Sequence, residues 1–116
     1  MLYKNDRKKI IAKNIRPCTN IFSQGFGLMF RPETSVRDTA WVFIFDKPRI
    51  IAITMAFVSF PIDLLFLDAN KIVVEIKERI SPWSFYTPKN KALYCIELKA
   101  GTVKSKHIKL NDKMIF

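Results

Sequence analysis

The clearest pattern in the chain is an alternation of apolar and polar positions that ends at Ile80. One side of the pattern carries the apolar residues Ile72, Val74, Ile76 and Ile80. The other side carries Lys71, Val73, Glu75, Lys77 and Arg79. A period of two residues is typical of a half-buried antiparallel strand, so we predict a strand from Ile72 to Ile80.

Other apolar runs between turn residues predict further strands. These runs cover residues 10–15, 41–45, 49–57, 62–67, 93–99 and 113–116. Turns are expected at 46–49 and 68–71, and short helices over 21–28 and 103–107, the second capped by Thr102. The fold class expected is therefore mostly β (α+β). We predict one domain spanning 1–116, a small antiparallel barrel or strongly curled sheet with two or three short helices.

The apolar stretch from Ile50 to Leu67 has the length of a short membrane-spanning helix. Pro61 lies inside it and Asp63 near its end, and a carboxylate in the centre of a bilayer is unfavourable. Two buried strands that meet near Ser59 are the better interpretation, with a membrane span as the alternative. We therefore predict no membrane span.

The positive net charge of the chain adds binding of an anionic partner to the functions that the sequence allows. Lys and Arg outnumber Asp and Glu by 20 to 10, which gives a net charge of +10. Such a surface attracts nucleic acid, anionic lipid or acidic proteins, although the same charge also serves plain solubility. The first twelve residues lack the apolar core of a signal peptide, so a cytoplasmic location is expected.

Metal and cofactor chemistry finds little support in the sequence. Cys18 and Cys95 are the two cysteines, His107 is the one histidine, and no metal-ligand spacing connects them. A bridge between the cysteines stays open, with free thiols in a reducing compartment as the favoured state. No glycine-rich phosphate loop or serine–histidine pair is present, so we predict no metal, no cofactor and no catalytic residue.

Several short boxes occur in the order known from one family. They are Gly27-Leu28-Met29-Phe30-Arg31, Pro61-Ile62-Asp63-Leu64-Leu65-Phe66-Leu67-Asp68, Ile96-Glu97-Leu98-Lys99-Ala100-Gly101 and Asn111-Asp112. With these boxes the chain resembles, over about residues 22–116, the prokaryotic family called domain of unknown function 192. The resemblance implies a compact, mostly β domain without an established reaction. This chain departs from the family pattern at Thr54, Phe57 and Val58, where the pattern has Trp, Asn and Thr.

Asp63 is the best single candidate for a functional residue, because a carboxylate in an apolar strand needs compensation. It is expected either to contact a ligand in a cleft or to anchor the fold. As an anchor, Asp63 is expected to accept backbone N–H groups or to pair with Arg31 or Arg37. Met55, which matches the Met of the family pattern, completes this candidate ligand or anchoring site with Arg31 and Asp63.

A second candidate is the proline-braced loop of Trp83, Phe85 and Tyr86. Its rings are suited to stacking on bases or sugars or to a membrane interface, and Lys89 and Lys91 flank them. The structural alternative is that the rings close an open end of the barrel.

The function expected from the sequence is a non-catalytic binding or accessory module. The alternative is binding of nucleic acid or another anionic ligand through the basic surface and the loop of Trp83, Phe85 and Tyr86. An enzyme of unknown reaction ranks third. The ligand, the partner and the oligomeric state are open at this stage.

Overall fold

A computed structural model describes residues 1–5, 9–19 and 28–116, and strands dominate them. The strands are β1 (Leu2–Lys4), β2 (Ile10–Ala12), β3 (Asn14–Cys18), β4 (Thr39–Arg49), β5 (Ile53–Thr54), β6 (Ile62–Leu67), β7 (Val73–Ile80), β8 (Phe85–Tyr86), β9 (Ala92–Lys99) and β10 (Met114–Ile115). A 3-10 turn covers Glu33–Val36, and the helix α1 covers Thr102–Ser105. The mostly β class is thus confirmed. The helix predicted over 21–28 lies outside the described residues, and the expected number of helices is not confirmed.

The main sheet has five strands in the order β3-β4-β9-β6-β7. Two smaller sheets accompany it, one of β10-β1-β2 and one of β5-β8. The sheets do not close into a barrel, so that part of the prediction is not confirmed. The pairing is antiparallel except between β3 and β4, which run parallel with Asn14 opposite Thr39.

Both faces of the main sheet are covered, and every residue of β6 is buried. One face, called the cavity face below, carries Trp41, Phe43, Leu64, Phe66 and Cys95. The opposite face, called the helix face, carries Val42, Leu65, Leu67, Ile96 and Leu98 together with Val103 of α1. Burial on both faces explains why β6 is a continuous apolar run with no alternation.

The stretch from Ile50 to Leu67 contains one long strand where two were predicted. The strand β6 agrees with the expected 62–67 run, but between residues 49 and 57 only Ile53–Thr54 pairs as a strand. The chain turns after Met55, whose carbonyl accepts the Val58 N–H at 3.0 Å, and Phe57 has a φ of 59°. A positive φ interrupts an extended strand, which is the reason for the difference. No helix in the described ranges is long and apolar enough to cross a membrane.

Strand β7 departs from the regular alternation that predicts it. Ile76 packs on the helix face, whereas Val74 and Ile80 pack on the cavity face. The register with β6 shifts twice along the strand, between Ile62 and Leu64 and between Phe66 and Leu67. Each irregularity changes which side chains face the same way, so the four predicted partners do not share one face.

Candidate functional site

A row of four residues crosses the cavity face from strand to strand. Arg16 lies opposite Trp41, Trp41 lies opposite Glu97, and Glu97 lies opposite Leu64. Directly opposed residues project to the same side of a sheet. Glu97, in the central strand β9, is therefore placed between an indole ring and a leucine side chain.

Glu97 lines a cavity of about 180 Å³ on this face. Leu28, Phe43, Ile51 and Val58 are among its apolar lining residues. Of the described residues that line this cavity, Glu97 alone carries an ionisable side chain. The described lining is thus mostly apolar, with one carboxyl group and the Thr54 hydroxyl, which resembles the composition of small-ligand pockets.

Burial controls the protonation of Glu97. The residue is 6% exposed, and removal from water raises the pKa of its carboxyl group to about 8. None of the residues that the structure describes donates a hydrogen bond to this carboxyl group. The raised pKa favours the protonated form at neutral pH, and that form has one O–H to donate.

The two cysteines lie on the cavity face near Glu97. Cys18 lies opposite Phe43 in the pair of β3 and β4, and Phe43 lies opposite Cys95 in the pair of β4 and β9. Both thiols are free and buried. Burial and the neighbouring Glu97 raise the pKa of each thiol, so both are poor nucleophiles at neutral pH.

A second cavity, here named the basic groove, has Trp41 in its wall. It encloses about 590 Å³, and Lys13, Arg16, Arg31 and Trp41 are among its lining residues. The guanidinium carbons of Arg16 and Arg31 lie 4.8 and 4.9 Å from the centre of the Trp41 ring. Two like charges on one indole make this groove attractive for an anion.

The structure separates Asp63 from Arg31 and Met55. Asp63 is fully buried and accepts three backbone N–H groups: Arg79 at 2.9 Å, Gly101 at 3.1 Å and Val103 at 2.9 Å. By alternation it shares the helix face with Leu65, whereas Arg31 contacts Trp41 on the cavity face. The expected pairing of Asp63 with Arg31 is therefore wrong, whereas the expected acceptance of backbone N–H groups is observed.

Met55 belongs to the core of the cavity face and is 1% exposed. Its N–H donates to the Ser84 carbonyl at 2.7 Å, and its own carbonyl accepts the Trp83 N–H at 3.1 Å. Met55 thus fastens the loop of Trp83 to the segment that follows β5. Its observed contacts are structural.

The loop from Ser81 to Asn90 divides into an inner and an outer part. Tyr86 is half-buried and donates its hydroxyl hydrogen bond to Glu75, which also accepts the backbone N–H groups of Lys89 and Asn90, each at 2.9 Å. Burial acts to raise the pKa of Glu75, but hydrogen bonds from Tyr86 and Asn90 outweigh it and lower that pKa. The bond to Glu75 raises the pKa of Tyr86 to about 12.

The outer part of the loop is exposed. Trp83 and Phe85 are 63% and 81% exposed, and Lys89 and Lys91 are also exposed. The exposed rings of Trp83 and Phe85 do not close an end of the sheet, contrary to the structural alternative considered for this loop. Trp83 instead meets Phe57 at 4.9 Å between ring centres, and Phe57 stacks on Phe30 at 4.6 Å. These three residues, Phe30, Phe57 and Trp83, are called the aromatic cluster below.

The residues described by the structure contain no group of three His, Cys, Asp or Glu side chains placed to hold a metal ion. The arrangement on the cavity face can bind a small apolar molecule through shape and one hydrogen bond, and the basic groove can attract an anion.

The model of the family described as "Uncharacterized ACR", DUF192, matches residues 2–116. The chain belongs to the DUF192 family. The match begins earlier than the resemblance over 22–116 suggests, and it includes strands β1 to β3. Among curated relatives, a UPF0127 protein of Thermococcus sibiricus is 33% identical over 98% of this chain and 73% of its own length. A UPF0127 protein of Pyrococcus furiosus is 31% identical over 91% of this chain and 89% of its own.

Two solved structures share the fold. A crystal structure described as "a putative transcription regulator" from Sinorhizobium meliloti has a TM-score of 0.81 and 25% identity, covering 87% of this chain and 79% of its own. A protein of unknown function from Novosphingobium aromaticivorans also has a TM-score of 0.81, with 22% identity over 88% of this chain and 74% of its own. The second likeness concerns the fold alone.

Sequence reasoning missed Glu97 as a site residue. On the sequence it occupies an ordinary strand position, where pairing with a lysine across the strand is the simplest expectation. The available signal was its place between Ile96 and Leu98 in an apolar strand. The departures at Thr54 and Val58 also fall on the cavity wall, while Phe57 lies in the aromatic cluster.

Proposed function

We propose that this DUF192 protein is a non-catalytic binding module that holds a small neutral molecule in the cavity beside Glu97. The observation that carries the proposal is the position of Glu97, a buried carboxyl group among lining residues that are, in the described part of the chain, mostly apolar. A protonated carboxyl donates one strong hydrogen bond, and the surrounding apolar side chains favour a hydrocarbon body.

The size of the cavity limits the ligand. A cavity of about 150 Å³ lined by Leu, Ile and Phe accepts benzene in another protein. The present volume of about 180 Å³ therefore suits one six-membered ring with a substituent, or the ring of a larger molecule whose remainder lies outside. The ligand class that fits is a ring-sized neutral compound with a carbonyl or ether oxygen.

The chemistry of the lining favours binding over catalysis. Acid–base catalysis commonly uses a second group to take or supply the other proton, or to act as nucleophile. The described lining residues offer Glu97 and the Thr54 hydroxyl, and no second titratable side chain.

Two probes of one shape test the proposal. Cyclohexanone carries an acceptor oxygen, and methylenecyclohexane has the same outline without it. We expect cyclohexanone to bind about two- to tenfold more tightly near pH 7, the range set by one net hydrogen bond. Backbone NMR shifts of Ile53, Thr54 and Val58 would report the binding.

Glu97 variants supply the matched controls. Glu97→Gln retains an N–H donor, so it should keep the preference for cyclohexanone. Glu97→Leu should prefer methylenecyclohexane, because the ketone oxygen would be buried without a donor. Above pH 8 the wild-type preference should fade as Glu97 ionises, while that of Glu97→Gln persists. A preference for cyclohexanone that survives in Glu97→Leu, or the absence of shifts with either probe, would overturn the proposal.

A second candidate function is binding of nucleic acid or another anionic ligand through the basic groove. The convergence of Arg16 and Arg31 on Trp41 favours it, together with the name of the Sinorhizobium meliloti structure, which suggests a transcription regulator. Single-stranded oligonucleotide affinity should then fall steeply with salt, and Arg16→Gln should weaken it much more than Lys104→Gln on α1. Equal effects of the two variants would indicate nonspecific charge and reject the groove as the site.

We also infer a cytoplasmic location. Two free buried thiols that form no bridge fit a reducing compartment. Labelling of the protein in fractionated cells of its source would test this inference.

A further inference from the structure

The aromatic cluster exposes much apolar surface on a small protein. Phe30, Phe57 and Trp83 are 74%, 46% and 63% exposed, and Phe85, which follows Trp83 closely in the sequence, is 81% exposed. Scattered surface rings are ordinary, but rings that touch one another from three separate segments form a patch. A contiguous exposed patch of this kind marks an interaction site.

The backbone supports this patch in an unfavourable conformation. The φ angles are 62° for Phe30, 59° for Phe57 and 62° for Trp83, all in the left-handed region. A bulky side chain in this region is strained, so large rings at these positions are unusual. Burial in the core does not explain the large rings at these three positions, since none of the three residues is buried.

Hydrogen bonds hold the three segments together. The Phe30 N–H donates to the Phe57 carbonyl at 2.8 Å, and the Trp83 N–H donates to the Met55 carbonyl at 3.1 Å. The cluster is thus fixed in place before any partner arrives, which reduces the entropy lost on binding.

The shape and the charge of the surroundings select the partner. The rings of the cluster are 46–74% exposed and project from the surface, which suits a deformable partner better than a peptide or a helix that docks into a groove. Phe57 has one face on Phe30 and the edge contact with Trp83, which leaves fewer free ring faces for nucleobases. A second copy of the chain would bring its own net charge of +10 against this one.

We infer that the aromatic cluster is a docking surface for an anionic lipid bilayer. Phe and Trp side chains bind favourably at the boundary between lipid headgroups and acyl chains, and the surface of a bilayer deforms around projecting rings. Arg31 adjoins Phe30, Lys89 is exposed on the loop that carries Trp83, and Lys91 is exposed directly after this loop. The cations attract the negative headgroups, and the rings then insert.

Vesicles of phosphatidylcholine, with and without phosphatidylserine, provide the test. The protein should co-sediment with vesicles that contain phosphatidylserine, and Trp83 fluorescence should shift to the blue on binding. Trp41, the other tryptophan, is 3% exposed and should contribute a constant signal. The variant Trp83→Phe measures that constant signal.

Asparagine variants separate docking from folding, because Asn adopts a positive φ more readily than other non-glycine residues. Phe57→Asn and Trp83→Asn should remain folded and lose about tenfold or more in vesicle affinity each, the value of one buried ring. Leu110→Asn, at an exposed apolar residue outside the cluster, should bind vesicles like the wild type.

Three results would overturn the inference. One is vesicle binding that Phe57→Asn and Trp83→Asn leave unchanged, because charge alone then accounts for it. Another is the absence of binding to either vesicle. The third is binding of single-stranded oligonucleotides, but not of vesicles, that the same two variants abolish.

Discussion

Asp63 on β6 accepts the N–H of Val103, forty positions further along the chain, at 2.9 Å. The same carboxylate oxygen accepts the Gly101 N–H, so one buried side chain fixes the start of α1 against the main sheet. The helix has no side-chain cap of its own from its neighbouring residues. A carboxylate distant in sequence satisfies the N–H groups that a helix start leaves unpaired.

Asp63→Asn should therefore destabilise the protein by about 1–3 kcal/mol, because the amide places a donor against a backbone donor. Urea unfolding would measure the loss, with Asp46→Asn at an exposed position as the control. Arg31→Ala should show little coupling to Asp63→Asn in a double-mutant cycle, since the two residues lie on opposite faces of the sheet. Unchanged stability in Asp63→Asn would reject the anchoring role.

Gly101→Ala should also destabilise this junction. Gly101 has a φ of 92°, and an added Cβ would lie 3.3 Å from the Arg79 guanidinium. We expect a loss of about 1–2 kcal/mol. Gly101→Asn should lose less, because Asn tolerates positive φ, and thermal unfolding of the two variants gives the comparison. A larger loss of stability in Gly101→Asn than in Gly101→Ala would show that the space for the side chain, and not the positive φ, determines the destabilisation.

Glu97 should make stability depend on pH in an unusual direction. Its pKa of about 8 in the folded protein exceeds the ordinary value of 4.5, so folding favours the protonated form. This contribution is complete below about pH 4.5 and is lost as pH rises through 8, to a total of roughly 5 kcal/mol. Glu97→Gln should become increasingly more stable than the wild type between pH 5 and 9 in urea unfolding. A constant difference in the free energy of unfolding between the two proteins from pH 5 to 9 would contradict the raised pKa of Glu97.

Glu75 should control the order of the loop that carries Trp83. Glu75→Gln removes an acceptor of the Lys89 and Asn90 N–H groups, so these amides should exchange with deuterium about tenfold faster or more. Glu78→Gln, at an exposed position on the same strand, is the matched control. The pKa of Glu75 is lowered, so its contribution is present above pH 4.5 and is lost as pH falls below it. Equal rates of deuterium exchange in the two variants would show that Tyr86 and the strand pairing are enough to order the loop without Glu75.

The sequence predicts the elements better than it predicts their partners. The runs that became β6, β7 and β9 are visible because burial and alternation leave a local pattern. The face of Ile76 was mispredicted, because irregularities in register depend on the partner strand. The donors to Asp63 lie at Arg79, Gly101 and Val103, and no local pattern links them to it.

The candidate site also depends on contacts between distant residues, which no local sequence pattern reveals. Glu97 becomes unusual only because β9 lies between β4 and β6, an arrangement set by contacts far apart in sequence. The exposed rings of Trp83 and Phe85 were predicted as candidates from the loop, but Phe30 and Phe57 join Trp83 only in three dimensions.

Strand β7 forms one end of the main sheet, and its first residue, Val73, is hydrogen-bonded to Asn111 and Asp112. An exposed strand edge beyond such a contact invites other chains to add to it. This edge carries Lys77, Glu78 and Arg79, all exposed, next to the register irregularities that interrupt regular pairing. Charge and irregular register together oppose edge-to-edge growth of the sheet. The same residues that obscure the alternation of β7 therefore protect a strongly apolar sheet from aggregation.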